Sequence, residues 1–207
     1  LDPASIEVDA AGAIVVAADP ESVHGVPLAE VWKLAPDGTR LWTSVLPNPG
    51  GGFSSLEVDG FALAPDGDAL VALSSPLADF RVVRLAGSDG SVRWDTSGDV
   101  EMNPTGLALA PNGRVLVGGF AFDDSGGHVG ARIAEFTASG APCRIDEDLG
   151  LFNQPAISAS DAGWTVVGVG ESPTTAGDDL IAYRYDADGA CTGFGDADLV
   201  FADGFDP

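Results

Sequence analysis

Apolar residues fill this chain in short runs of four to six positions, and each run ends on turn residues. In the stretch 81–98, RVVRLAGSDGSVRWDTSG, an apolar run reaches Gly87-Ser88-Asp89-Gly90 and a second run follows, ending on Trp94. That is the pattern of a β-hairpin. Related stretches lie at 31–43, 131–143 and 181–192, with turn glycines Gly38, Gly90, Gly140 and Gly189. A second hairpin type alternates with the first, at 5–18, 60–73, 106–119 and 156–169, with turn glycines Gly12, Gly67, Gly113 and Gly163. The period is about 50 residues, which marks a repeat architecture. Four units of four strands each are expected, at about 5–46, 56–97, 105–147 and 155–195, followed by a tail over 196–207.

The runs differ by their place in the unit. The first strand is short and holds Gly and Ala, as suits a crowded axis. The second, as in Ile14-Val15-Val16-Ala17 and Ala69-Leu70-Val71-Ala72, is apolar at consecutive positions and should be buried on both faces. In the third, charged residues share the run with apolar ones, and the fourth is the most polar. This gradient predicts an all-β chain, a β-propeller-like array of four four-stranded antiparallel sheets in one domain over 1–207. With only four sheets, an open arc or partial propeller is expected. End sheets would then expose apolar faces, such as that of Ile14 to Ala17. Pro104, Gly106 and Pro111 break the one stretch that could tempt a helical reading.

The turns explain themselves chemically. In Ala64-Pro65-Asp66-Gly67 the proline pre-sets φ, the aspartate closes the turn and the glycine takes the positive φ. Ala35-Pro36-Asp37-Gly38 and Ala110-Pro111-Asn112-Gly113 repeat the device, so these acids are read as turn-formers. The other connections are longer and irregular, so one end of each unit is elaborated and the other plain.

Composition narrows the partners. Acidic residues number 32 against 9 basic, a formal net charge of −23. This argues against a nucleic-acid phosphate partner and disfavours adhesion to anionic membranes. An unidentified protein or a carbohydrate is compatible. No apolar run reaches about 18 residues, so no membrane span is expected. The chain starts Leu1-Asp2-Pro3 and is read as processed or a fragment. The two cysteines, Cys143 and Cys191, occupy similar outer positions in neighbouring units. Outer strands of a radial array diverge, and a disulfide needs Cα atoms within about 7 Å. They are therefore expected not to be bonded to each other.

The alternation of ALAPxG-x-x-LV with a strand and a DG turn resembles the delta-60 repeats of bacterial surface and secreted proteins. The segment Asp179 to Gly189 is similar to that family's (D)xALARYNADG, and Phe194-Gly195 to its closing FG. Asp89-Gly90-Ser91-Val92-Arg93-Trp94 also resembles the A-x-D-x-x-x-G-x-x-W repeat of quinoprotein-like propellers. The resemblance implies that tryptophans dock sheet on sheet. Trp42 and Trp94 occupy matching places, Cys143 stands near that place in the third unit and Cys191 in the fourth, so docking cannot be uniform; all four tryptophans read as core. Leu199 to Asp206 resembles a terminal hydrophobic-F-x-D-G-F-(E/D) signature of secreted proteins in some Gram-negative bacteria, implying a secreted or cell-surface location; the alternative is an edge strand plus tail.

Catalytic chemistry is thin. His24 and His128 are the two imidazoles and neither sits beside a G-x-S-x-G nucleophile. Dispersed Cys and His supply no zinc spacing, and Gly50-Gly51-Gly52 precedes neither a helix nor a Lys-Ser/Thr pair. The vicinal cysteines and ligand set of quinoprotein enzymes are missing, so that resemblance implies the fold rather than the activity. Acidic residues do collect in the longer loops: Asp19 and Glu21; Asp79; Asp123 and Asp124; Glu171, Asp178 and Asp179. Asp123, Asp124, Asp178 and Asp179 are the candidate ligands of a cation, Ca²⁺ in particular; the alternative is a solvated acidic rim. The expected function is a non-catalytic extracytoplasmic scaffold for binding or adhesion. The alternative is a fragment of a larger propeller enzyme whose active centre lies in missing repeats.

Overall fold

The structure, a computed structural model, describes residues 2–19, 28–48, 56–75, 78–97, 102–122, 128–146, 149–151, 155–161, 163–171, 178–186, 191 and 198–203. These residues form sixteen strands and no helix. The strands build four four-stranded antiparallel sheets, each a meander in chain order. The first sheet holds β1 (Asp2–Val8), β2 (Ile14–Asp19), β3 (Leu28–Leu34) and β4 (Arg40–Pro47). The second holds β5 (Glu57–Leu63), β6 (Ala69–Ser75), β7 (Ala78–Leu85) and β8 (Val92–Ser97). The third holds β9 (Met102–Leu109), β10 (Val115–Phe122), β11 (His128–Phe136) and β12 (Pro142–Asp146). The fourth holds β13 (Ala156–Ser160), β14 (Gly163–Glu171), β15 (Asp178–Tyr185) and β16 (Asp198–Asp203). The chain divides into two compact halves, Leu1–Val100 and Glu101–Pro207, each of two sheets.

The turn chemistry holds. Gly12, Gly38, Gly67, Gly90, Gly113 and Gly140 have φ between 73° and 84°. Asp37, Asp66, Asp89 and Asn112 each accept the amide two residues on, at 2.9 to 3.1 Å. The polarity gradient holds as well. Ala69 to Leu73 in β6 and Val115 to Val117 in β10 are buried on both faces, while β8 is largely exposed. First strands converge within each half, β1 beside β5 and β9 beside β13.

The fourth unit departs from expectation. Residues 198–203, read as tail, form its outer strand, so the apolar run Leu199-Val200-Phe201 is spent on sheet pairing with β15. In its inner hairpin Ser160 pairs with Gly163, which belongs to β14 rather than to the turn. The outer turn at Gly189 lies outside the described residues.

Each half has one inter-sheet core. In the first half Val15, Ala17, Ala29 and Val31, with Trp42 and Leu46, pack on Val58, Val71, Leu73, Val83 and Leu85 of the second sheet. In the second half Leu116, Ala131 and Ile133 pack on Trp164, Val166, Ile181 and Tyr185. We call the core-forming face of the first and third sheets the front; the partner sheet receives it on its back.

Candidate functional site

Polar chemistry gathers in two kinds of place: the junctions between sheets and the end where the longer connections attach.

At the first junction, Trp42 on β4 lies against the β7–β8 turn. Its Nε1 donates to the Gly87 carbonyl at 3.1 Å, and a Cβ built on Gly90 would sit 2.7 Å from its ring. Lys33, the cross-strand neighbour of Trp42, donates from Nζ to the same carbonyl at 3.0 Å and pairs with Asp9 at 2.9 Å. From the same residue, the Gly87 amide donates to Asp68 Oδ1 at 2.9 Å. Asp68 is only 1% exposed and is held by Arg84 at 2.8 Å and Arg93 at 2.6 Å. Burying a carboxylate is costly unless such partners satisfy it. Gly87 must be glycine, since a Cβ there would meet the Gly67 carbonyl oxygen at 2.2 Å.

The second half builds its junction from different residues. Glu135 on β11, 1% exposed, accepts from Arg114 at 3.1 Å, from Arg144 and from Trp164 Nε1 of the fourth sheet at 3.3 Å. Arg144 also donates from Nη2 to the Asp186 carbonyl at 2.9 Å. Beside it Cys143 is bonded to Cys191, with Cα atoms 4.5 Å apart. The expectation of unbonded cysteines is therefore corrected. Divergence of outer strands does not prevent the bond, because Cys191 lies not on an outer strand but between β15 and β16.

The tryptophans separate into roles. Trp42 and Trp164 are buried, but Trp94 is half-buried. Trp32 is not core: it is half-buried on the back of the first sheet, with the Arg40 guanidinium 5.9 Å from its ring centre.

At the other end of the first half, Asp59 sits where β5 is bulged between Val58 and Gly60, beside Ser74 at the end of β6. Burial pushes its carboxyl up to about 6; the charges of Glu57 and Asp19 push the same way and a hydrogen bond with Ser74 opposes them. Its Oδ2 is buried with no hydrogen-bond partner among the described residues. The group can hold a proton in mildly acidic solution, where an ordinary aspartate has lost it. Asp19 was expected at this end; Asp59 and Glu57 were not, because a carboxylate within an apolar strand reads as solvent-facing unless the bulge that turns it inward is known.

Asp123 and Asp124 lie outside the described residues, as do Glu21 and His24. Asp79 and His128 fall within β7 and β11. Asp178 and Asp179 open β15 opposite Glu171 and Gly170. As consecutive strand residues they point to opposite faces, Asp178 exposed and Asp179 buried. The structure does not bring these two carboxylates together. Among the described residues no group of three or more His, Cys, Asp or Glu side chains is placed to hold a metal ion. The remaining two candidate cation ligands, Asp123 and Asp124, fall outside that search.

No protein-family model and no curated protein matches the sequence. Solved structures do. A protein from Lactobacillus plantarum aligns with a TM-score of 0.56 at 18% identity, over 97% of this chain and 57% of its own. Cobalt-substituted ACO, the apocarotenoid oxygenase of Synechocystis, aligns with a TM-score of 0.51 at 12% identity, over 88% and 47%. BamB from Moraxella catarrhalis reaches a TM-score of 0.46 at 14% identity, over 87% and 49%. The chain has a β-propeller-type fold. It spans about half the length of the structures it matches. No helix among the described residues is long and apolar enough to cross a membrane.

Proposed function

We propose that the chain is a non-catalytic, extracytoplasmic propeller scaffold of the delta-60 type, which binds a protein or carbohydrate partner. The observation that carries the reading is the use made of buried charge. Lys33, Asp68, Glu135 and Arg144 are each buried, and each joins one sheet to the next or braces the turn that does so. Their chemistry is spent on holding sheets together. The Cys143–Cys191 bond supports the compartment, since disulfides persist in oxidising surroundings. The test is fractionation of cells expressing the full-length gene, with thiol labelling. Export, with both thiols blocked until reduction, is the expected result. Cytoplasmic retention with both thiols free would overturn the location.

The second reading, a piece of a larger propeller enzyme, draws support from the half-length match and from the raised carboxyl of Asp59. An activity of the full-length protein that Asp59→Asn abolishes without loss of folding would favour it.

A further inference from the structure

The back of the first sheet matches the back of the second position by position. Val8 pairs with Ile14 and Ile14 with Leu34; in the second sheet Leu63 pairs with Ala69 and Ala69 with Leu85. Ile6, Val16 and Trp32 correspond in the same way to Phe61, Val71 and Val83. In the second sheet these positions are covered by the front of the first: Ala69, Val71, Val83 and Leu85 are fully buried. In the first sheet the counterparts Ile14, Val16, Trp32 and Leu34 are only half-buried, and their cross-strand neighbours on β1 and β4 are exposed. Ile6 and Val8 are each 63% exposed, and Val45 on the same face is 51% exposed. A patch of this kind on a folded protein marks an interaction site. Its register and apolar character are those of a seat for the front of another four-stranded sheet.

This chain carries an open front. On the fourth sheet Leu180 is 42% exposed, Arg184 is exposed, and Val167 and Val169 are half-buried, while the back of that sheet is spent on Trp164 and Val166 in the core. Arg184 is the counterpart of Lys33, since each immediately precedes the last residue of its third strand. The front of the second sheet and the back of the third, by contrast, are buried, as Leu70, Val82, Val115 and Val117 show.

We propose that a second copy of this chain seats the front of its fourth sheet on the back of the first sheet, in the manner of the internal junctions. This deepens the scaffold reading by naming a partner, and rests on it. The contact is heterologous: two different faces meet, so it either closes or runs on through further copies. Self-repulsion at a net charge of −23 opposes it, and salt should strengthen it.

The test is sedimentation over a range of concentrations in about 150 mM salt. The wild type should rise with concentration from the mass of one chain, 20.9 kDa, to at least twice that value. Ile6→Glu/Val45→Glu should stay monomeric, and so should Leu180→Glu, because each removes one of the two faces. An equimolar mixture of the two variants keeps one intact pair of faces and should form a one-to-one complex. All three positions are exposed, so unchanged melting and an intact Cys143–Cys191 bond are expected; Val8→Glu replaces the double variant if it misfolds. A wild type that is monomeric throughout would overturn the proposal. So would association untouched by Leu180→Glu, which would mean two first sheets meeting back to back. Neither result bears on export, so failure here is distinct from failure of the compartment reading.

Discussion

Trp42 and Arg144 stand at the same place in their sheets and do the same work. Each is the cross-strand partner of a buried charged residue, Lys33 for Trp42 and Glu135 for Arg144. Each donates to a backbone carbonyl near an outer turn of the next sheet, Gly87 or Asp186. An indole that stacks on a turn and a guanidinium that bridges to one are alternative solutions to the same docking problem.

Loss of either donor should therefore be costly. Trp42→Ala empties a packed site and should destabilise by about 3–5 kcal/mol. Arg144→Ala strips Glu135 of one partner in a buried network, with an expected cost of about 3–5 kcal/mol. Urea denaturation of the two variants checks both figures. A loss below about 1 kcal/mol in either would show that this donor is not needed to hold its sheets together.

Two glycines separate close approach from backbone conformation. Gly38→Ala meets no atom within 4 Å and suffers only from its φ of 84°, so about 1 kcal/mol is expected. Gly87→Ala drives a methyl into the Gly67 carbonyl and must part the two turns, with a loss of at least about 2–3 kcal/mol. Thermal melts should rank Gly87→Ala well below Gly38→Ala.

The disulfide closes a loop across a sequence separation of 48 residues. Chain-entropy reasoning gives about 4 kcal/mol for a loop of that length. Cys143→Ser/Cys191→Ser should lower the denaturation midpoint, and a reductant should lower the wild type equally while leaving the double variant unmoved.

Asp59 makes stability depend on pH in a definite direction. Its folded pKa, about 6, lies above the usual 3.8, so the folded state holds the proton more tightly. That contribution is complete below about pH 4 and is lost as pH rises through about 6. A shift of this size, discounted for partial exposure, amounts to about 1–2 kcal/mol. The melting temperature should fall between pH 5 and 7, and Asp59→Asn should remove that fall. Asp9 acts in the opposite sense: the hydrogen bond from Lys33 holds its carboxyl below the ordinary value, so its contribution is lost as pH falls below about 4.

The hairpins, their turns and the four sheets were legible because glycine spacing and apolar runs are local signals. The last strand was missed because Leu199-Val200-Phe201 lies about ten residues beyond the last turn glycine, and repeat length is a poor guide where one connection is longer. The docking network was half visible. Charged residues in third strands stood out, yet only the structure shows that Lys33, Arg84 and Glu135 face inward at one position. The bonded cysteines and the raised Asp59 depend on contacts between distant residues, which no local pattern encodes.

The second and third sheets carry the same ion pair with its signs exchanged. Asp68 and Arg84 form it in one, Arg114 and Glu135 in the other, each acid or base falling just after the inner turn glycine or just before the end of the third strand. A chain of near-identical hairpins is at risk of joining strands from different repeats while it folds. If β6 took β11 in place of β7, Asp68 would come to lie near Glu135. If β10 took β7, Arg114 would come to lie near Arg84. Each such exchange leaves like charges together out of water, where their repulsion is strongest. The inversion therefore sets a charge penalty against exchange of strands between the second and third sheets.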